Sequence, residues 1–162
     1  MNMVSAYGCL LVLALTATAM VTDSAVAEST WTIGINHSLA AGARALQTGD
    51  YTGGIHLTLE GLKSESAPRN RARAFSNLCA GYTADRQYAK AIRYCDMAIE
   101  IDDRNWRTFN NRALAHLGEG RIDAAKRDLH QGRSLNPDSS NLDKVAQLID
   151  VQNERLLLAL QG

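Results

Sequence analysis

Arg73-Ala74-Phe75-Ser76-Asn77 and Arg107-Thr108-Phe109-Asn110-Asn111 decide how this chain folds. The second stretch is the first moved on by 34 residues, and the same shift carries Ala91 to Ala125, Ile101 to Leu135 and Asp102 to Asn136. A repeat of this length marks a stack of helical hairpins, because one hairpin cannot cover its own apolar face and needs a neighbour. A binding scaffold is therefore expected ahead of an enzyme.

Working outward, residues 72–105 place Phe75, Leu78, Cys79 and Tyr82, then Ala91, Ile92, Cys95, Ala98 and Ile99, at helical spacing. The polar run Thr83-Ala84-Asp85-Arg86-Gln87 between them suits the turn of an antiparallel pair. Residues 106–139 repeat the pattern through Phe109, Ala113, His116, Ala125, Leu129, Gly132 and Leu135, with a turn at Gly118-Glu119-Gly120 and Pro137 past the helix end. An earlier unit, 35–68, follows through Gly42, Gly49-Asp50-Tyr51 and Leu62, with Ser64 to Pro68 as its connection to the next. Its glycines Gly53, Gly54 and Gly61 should each cost the second helix about 1 kcal/mol relative to alanine, so this unit is expected to be the frayed one. After the last repeat, Ser140-Asn141-Leu142-Asp143 reads as a capping box. Leu142, Val145, Ala146, Ile149, Leu156 and Leu160 give the apolar stripe of a capping helix over 140–162. The block Leu156-Leu157-Leu158 is read first as cover for the preceding helix pair and second as a homodimer contact.

At these residues the chain resembles the tetratricopeptide-repeat (TPR) family. That family's unit carries an aromatic, then Leu and a small residue, then Tyr, then Ala with an aromatic four on, then Ala and a final Pro. The central unit supplies Phe75, Leu78, Cys79, Tyr82, Ala91 and Ala98, with Cys95 and Asp103 as departures. The third supplies Phe109, Ala113, Ala125 and Pro137, with Arg112, His116 and Leu129 as departures. The resemblance implies an all-α fold, a right-handed superhelical array of three antiparallel helix hairpins (35–68, 72–105, 106–139) closed by the capping helix. It also implies that the first helix of each unit lines a concave groove.

The chain of 162 residues supports one domain, and 17 basic against 17 acidic residues leave it electrically balanced. A generic nucleic-acid or anionic-membrane binder would carry a basic excess. Residues 1–27 differ from the rest: Asp23 is their sole charged side chain, Cys9 to Leu15 is an apolar core, and Ala25-Val26-Ala27 precedes Glu28. That core is short for a membrane span, and the A-x-A ending marks a signal-peptidase site. We expect a signal peptide cut after Ala27, a short lead over 28–34 and a periplasmic or secreted protein with no membrane insertion. A tether through an uncleaved amino terminus is the alternative, since no Lys or Arg precedes the apolar core.

Cys79 and Cys95 are equidistant from the turn at Gln87, which sets them at one height on facing helices. Helix axes lie about 8–10 Å apart, and disulfide Cα atoms about 7 Å or less, so the pair is read as two buried thiols, with a disulfide as the alternative that export favours. His37, His56, His116 and His130 show no metal spacing, and His116 is read as a core or half-buried histidine. No nucleophile with an assignable base and no phosphate loop stands out, so no enzyme, metal or cofactor is expected. Arg73 and Asn77 lie four apart on one helix face and recur as Arg107 and Asn111. Arg69, Arg71 and Arg73 cluster at a helix start, where the macrodipole opposes them, and packing gives them no evident role. Guanidinium groups suit carboxylates, and the Asn amides both donate and accept, so the four residues are expected to grip an acidic or extended segment of another protein; the competing reading is a solvated polar face. In chaperone-binding members of the resembled family a two-carboxylate clamp occupies these slots. Asn77 and Arg107 fall in them, but Leu39 and Ala43 replace the Lys and Asn of the first unit, so that specificity is not carried over.

Overall fold

The computed structural model describes residues 36–161, and these form seven helices: α1 (His37–Gln47), α2 (Tyr51–Ser64), α3 (Pro68–Ala84), α4 (Tyr88–Ile101), α5 (Trp106–Gly118), α6 (Ile122–Leu135) and α7 (Ser140–Gln161). The leader 1–27, its cut after Ala27 and the lead 28–34 lie outside the described residues.

Local chemistry sets the helix starts. The Asn36 side chain accepts from Leu39 N at 3.1 Å and donates to Gly61 O at 2.8 Å, which caps α1 and ties it to the end of α2. Asp50 caps α2 through Gly53 N, and Asn105 caps α5 through Arg107 N. Pro68, expected in the preceding connection, is instead the first residue of α3, where a missing N–H costs nothing. The turns between paired helices carry a residue in the left-handed region: Gly49 (φ 87°), Arg86 (φ 60°) and Gly120 (φ 73°).

The helices pair as α1·α2, α3·α4 and α5·α6, with α7 on α6 and α5. Successive first helices also approach closely, α1 on α3, α3 on α5 and α5 on α7, whereas among the described residues the Cα atoms of α2, α4 and α6 stay more than 8 Å from one another. A layer packed more closely than its partner is the inner side of a curve. The face of α1, α3, α5 and α7 is therefore the concave one.

The core has two parts. Phe75, Leu78, Cys79 and Tyr82 of α3 meet Ala91, Cys95 and Ala98 of α4 in the first, and Ala113 and Leu117 meet Ala125, Val145 and Ile149 in the second. Between them Thr108 Oγ1 donates to Ser76 Oγ at 2.9 Å, a buried bond that fixes α5 beside α3.

Three expectations are corrected. The first unit is not frayed, since α2 is an unbroken 14-residue helix. A Cβ on Gly54 would stand 2.9 Å from the Leu46 backbone N, so this glycine admits α1 at close range and its packing offsets its helix propensity. Ser140 does not cap α7: it is the first helical residue, Ser139 O accepts from Leu142 N and Asp143 N, and Asp143 pairs with Arg133 at 2.9 Å. The leucine block does not cover the preceding pair. Burial along α7 ends with Leu142, Val145 and Ile149, leaving Leu156, Leu157 and Leu158 52, 59 and 63% exposed.

Candidate functional site

The four expected groove residues all lie on the inner helices α3 and α5. Arg73 and Arg107 are exposed, and Asn77 and Asn111 are half-buried. Asn77 directly follows Ser76, and Arg107 directly precedes Thr108, so the Ser76–Thr108 bond brings the two ladder rungs alongside each other. Among the described residues Arg73 and Arg107 make no ion pair, and Arg107 lies over the Trp106 ring, 4.5 Å from its centroid. Asn110 Nδ2 reaches Asn111 Oδ1 at 3.5 Å, while the buried Asn110 Oδ1 has no partner. Not all of the basic cluster is free for a ligand. Arg71 has a structural role after all, donating to Glu65 O at 3.1 Å and covering Phe75 at 5.2 Å, so it braces the α2–α3 connection.

At the far end of α5 the inner face changes character. Thr83, Tyr88, Leu114, Leu117, Leu148 and Val151 line a cleft of about 730 Å³ between the ends of α3 and α5 and the second half of α7. Gln152 Nε2, donating to Leu117 O at 3.3 Å, holds α7 at the rim.

Cys79 and Cys95 are joined as a disulfide with Cα atoms 5.2 Å apart, against the reading of two free thiols. The expectation took the distance between helix axes for the distance between Cα atoms. Each Cα lies about 2.3 Å off its axis, so facing residues stand several Å closer than the axes do. The bond staples α3 to α4 directly behind Asn77.

The sequence reading missed a charged network in the third hairpin. Arg112 Nε and Nη2 donate to Asp128 Oδ2 and Oδ1 at 3.0 and 2.6 Å, and Nη1 donates to Asp96 Oδ1 at 2.7 Å, so one guanidinium joins α5 to both α6 and α4. Burial alone would lower the Arg112 pKa, but the bonds and charges of Asp128 and Asp96 outweigh it and raise it. His116 Nε2 stands 3.7 Å from Asp128, and its buried Nδ1 has no partner. Burial first, then the cations Arg112 and Arg121, hold the imidazole below its usual value of 6.5 against the pull of Asp128 and Asp96. The shift of 34 contains the missed signal: it maps Leu78, Tyr82 and Tyr94 onto Arg112, His116 and Asp128. In the second hairpin Tyr82 and Tyr94 stack with centroids 5.3 Å apart, and the third hairpin fills the same places with charge.

Among the described residues no group of His, Cys, Asp and Glu has the arrangement of a metal site, and no helix is long and apolar enough to cross a membrane. No known family profile matches the chain. Solved structures do. The Sgt2 TPR domain from Aspergillus fumigatus is similar at TM-score 0.65 and 21% identity, over 78% of this chain and 82% of that one. The second TPR domain of human RPAP3, in complex with the HSP70 peptide SGPTIEEVD, is similar at TM-score 0.62 and 22% identity, over 70% and 92%. The yeast Sti1 TPR2B domain, in a pHsp70 complex, is similar at TM-score 0.63 and 22% identity, over 74% and 95%. The fold is that of a TPR domain. In this TPR-like array α5 carries both Arg107 and Asn111 of the ladder and Leu114 and Leu117 of the cleft.

Proposed function

We propose that this chain is an exported scaffold, not a catalyst, that binds an extended or acidic segment of another protein along its concave face. Arg73 and Arg107 meet carboxylates, and Asn77 and Asn111 bond the segment's backbone. The observation that carries this reading is the pair of rungs brought alongside on the inner helices by the buried Ser76–Thr108 bond, with both guanidiniums exposed. One similar structure, the second TPR domain of human RPAP3, holds a peptide, SGPTIEEVD, that is rich in carboxylates. The Cys79–Cys95 disulfide supports export, because such bonds persist in oxidising compartments. Export to the periplasm or medium after a cut at Ala27 is part of the proposal, with an N-terminal tether as the alternative.

The test is selection from a random-peptide display library with the chain as bait. Selected peptides should be enriched in Asp and Glu, and Arg73→Ala/Arg107→Ala should weaken them at least tenfold with helicity unchanged. Undiminished binding by the double variant sinks the reading.

The exposed Leu156 to Leu158 block favours a second reading, a homodimer through the end of α7. Sedimentation of the chain with and without residues 154–162 tests it, and a monomer in both forms removes it. Deleting from 140 onward would be uninformative, since Leu142, Val145 and Ile149 belong to the core.

A further inference from the structure

His116 sits at the joint of three helices, and among the described residues neither of its imidazole nitrogens is bonded. Its side chain is 12% exposed, its Nδ1 is buried without a partner, and its Nε2 stands 3.7 Å from Asp128 Oδ2, too far for a hydrogen bond. Asp128 is already engaged, since Arg112 Nε and Nη2 donate to its two oxygens at 3.0 and 2.6 Å. The charged groups that act on the ring are Arg112 on α5, Asp128 on α6, Asp96 on α4 and Arg121 at the start of α6, the last paired with Glu119 at 3.1 Å. On the adjoining face of α5, at Leu117, α3 and α7 bring Thr83, Gln152 and Arg155.

A neutral imidazole carries one N–H, whereas an imidazolium carries two and needs an acceptor for each. In the closed hairpin Nδ1 has no acceptor, and Nε2 gains one only by drawing Asp128 away from Arg112. That guanidinium is the bridge from α5 to α6 and, through Asp96, to α4. A buried N–H without an acceptor is costly, so the second proton is taken up where the joint is open to water. We infer that the third hairpin and α7 open as one acid-sensitive unit, with His116 as the proton acceptor, while the first two hairpins stay closed. The boundary follows the two cores. Val145 and Ile149 of α7 pack with Ala113, Leu117 and Ala125, so α7 belongs to the opening unit. The second hairpin has the Cys79–Cys95 disulfide and the stacked Tyr82 and Tyr94 where the third has its charged joint. Because α5 carries Arg107 and Asn111, each opening takes half of the ladder out of the array, whatever the ladder binds.

Hydrogen exchange of the ligand-free chain, read by mass spectrometry at pH 7.5 and 5.5 and corrected for the intrinsic exchange rate, tests this. Amides of 106–135 should be less protected than those of 70–100 at both pH values, as a separately opening unit requires. Their protection should fall about tenfold from the higher pH to the lower, the gain of an open state that binds one proton with the ordinary histidine pKa of about 6.5. His116→Gln, which leaves the exposed His37, His56 and His130 in place, should abolish the fall. His116→Tyr, with the side chain that the second hairpin carries there, should abolish it too and serves where glutamine loosens the hairpin. Equal protection in all helices overturns the separate opening, and a fall that survives in both variants overturns His116 as the proton acceptor. With no ligand present, failure of the groove reading alters neither readout.

Discussion

Arg112, His116 and Asp128 hold with charge what Leu78, Tyr82 and Tyr94 hold with apolar contact one repeat earlier, and this makes single and combined changes behave differently. Arg112→Leu alone leaves the nearly buried Asp128 without its partner and should cost about 3–5 kcal/mol in urea unfolding. Arg112→Leu/His116→Tyr/Asp128→Tyr rebuilds the second hairpin's set and should recover most of that loss; a triple variant no better than the single would show that the two hairpins are not equivalent. The sign of the pH effect follows from the depressed imidazole pKa of His116. Below its ordinary value of 6.5 the unfolded chain takes up this proton before the folded one does, so stability falls as pH drops through that point. His116→Gln should flatten this part of the unfolding curve between about pH 5 and 7. Departures at Arg112 and His116 were visible in the sequence, but their answer was not. A residue 16 positions away on another helix becomes a partner only once the hairpin closes.

The hairpin as an element was largely legible, because the 34-residue period and the helical spacing of Phe75, Leu78 and Tyr82 record packing that every unit must satisfy. Two features were not legible, and both concern how closely helices approach. Gly54 reads as a weak helix former along the chain, and only its contact with α1 shows its use. The usual separation of helix axes sets Cys79 and Cys95 too far apart to bond, whereas their Cα atoms stand 5.2 Å apart. The disulfide closes a short loop, so reduction, or Cys79→Ala/Cys95→Ala, should lower stability by about 3 kcal/mol while the helices remain. A thermal melt with and without reductant measures this, and identical curves would mean the bond is absent in solution. Position 86 allows a gain: Arg86 adopts the conformation that Gly49 and Gly120 adopt at the equivalent turns. Arg86→Gly should raise stability by about 0.5–1 kcal/mol, since the side chain's left-handed strain outweighs the added freedom of glycine.

At the scale of the whole array, close approach of successive first helices, with the backbones of α2, α4 and α6 further apart among the described residues, curves the stack and puts α3 and α5, which carry the Arg73/Asn77 and Arg107/Asn111 rungs, on its concave side. The central claim is that this face, and not the outer one, receives a partner. The most direct measurement is an NMR titration of the isotope-labelled chain with an acidic peptide selected by display, following side-chain amide and guanidinium signals. The account predicts the largest shifts at Asn77 and Asn111 Nδ2–H and at Arg73 and Arg107 Nε–H, saturating together. Shifts concentrated instead at Arg93 and Arg127 on α4 and α6, with the ladder signals unmoved, would contradict it.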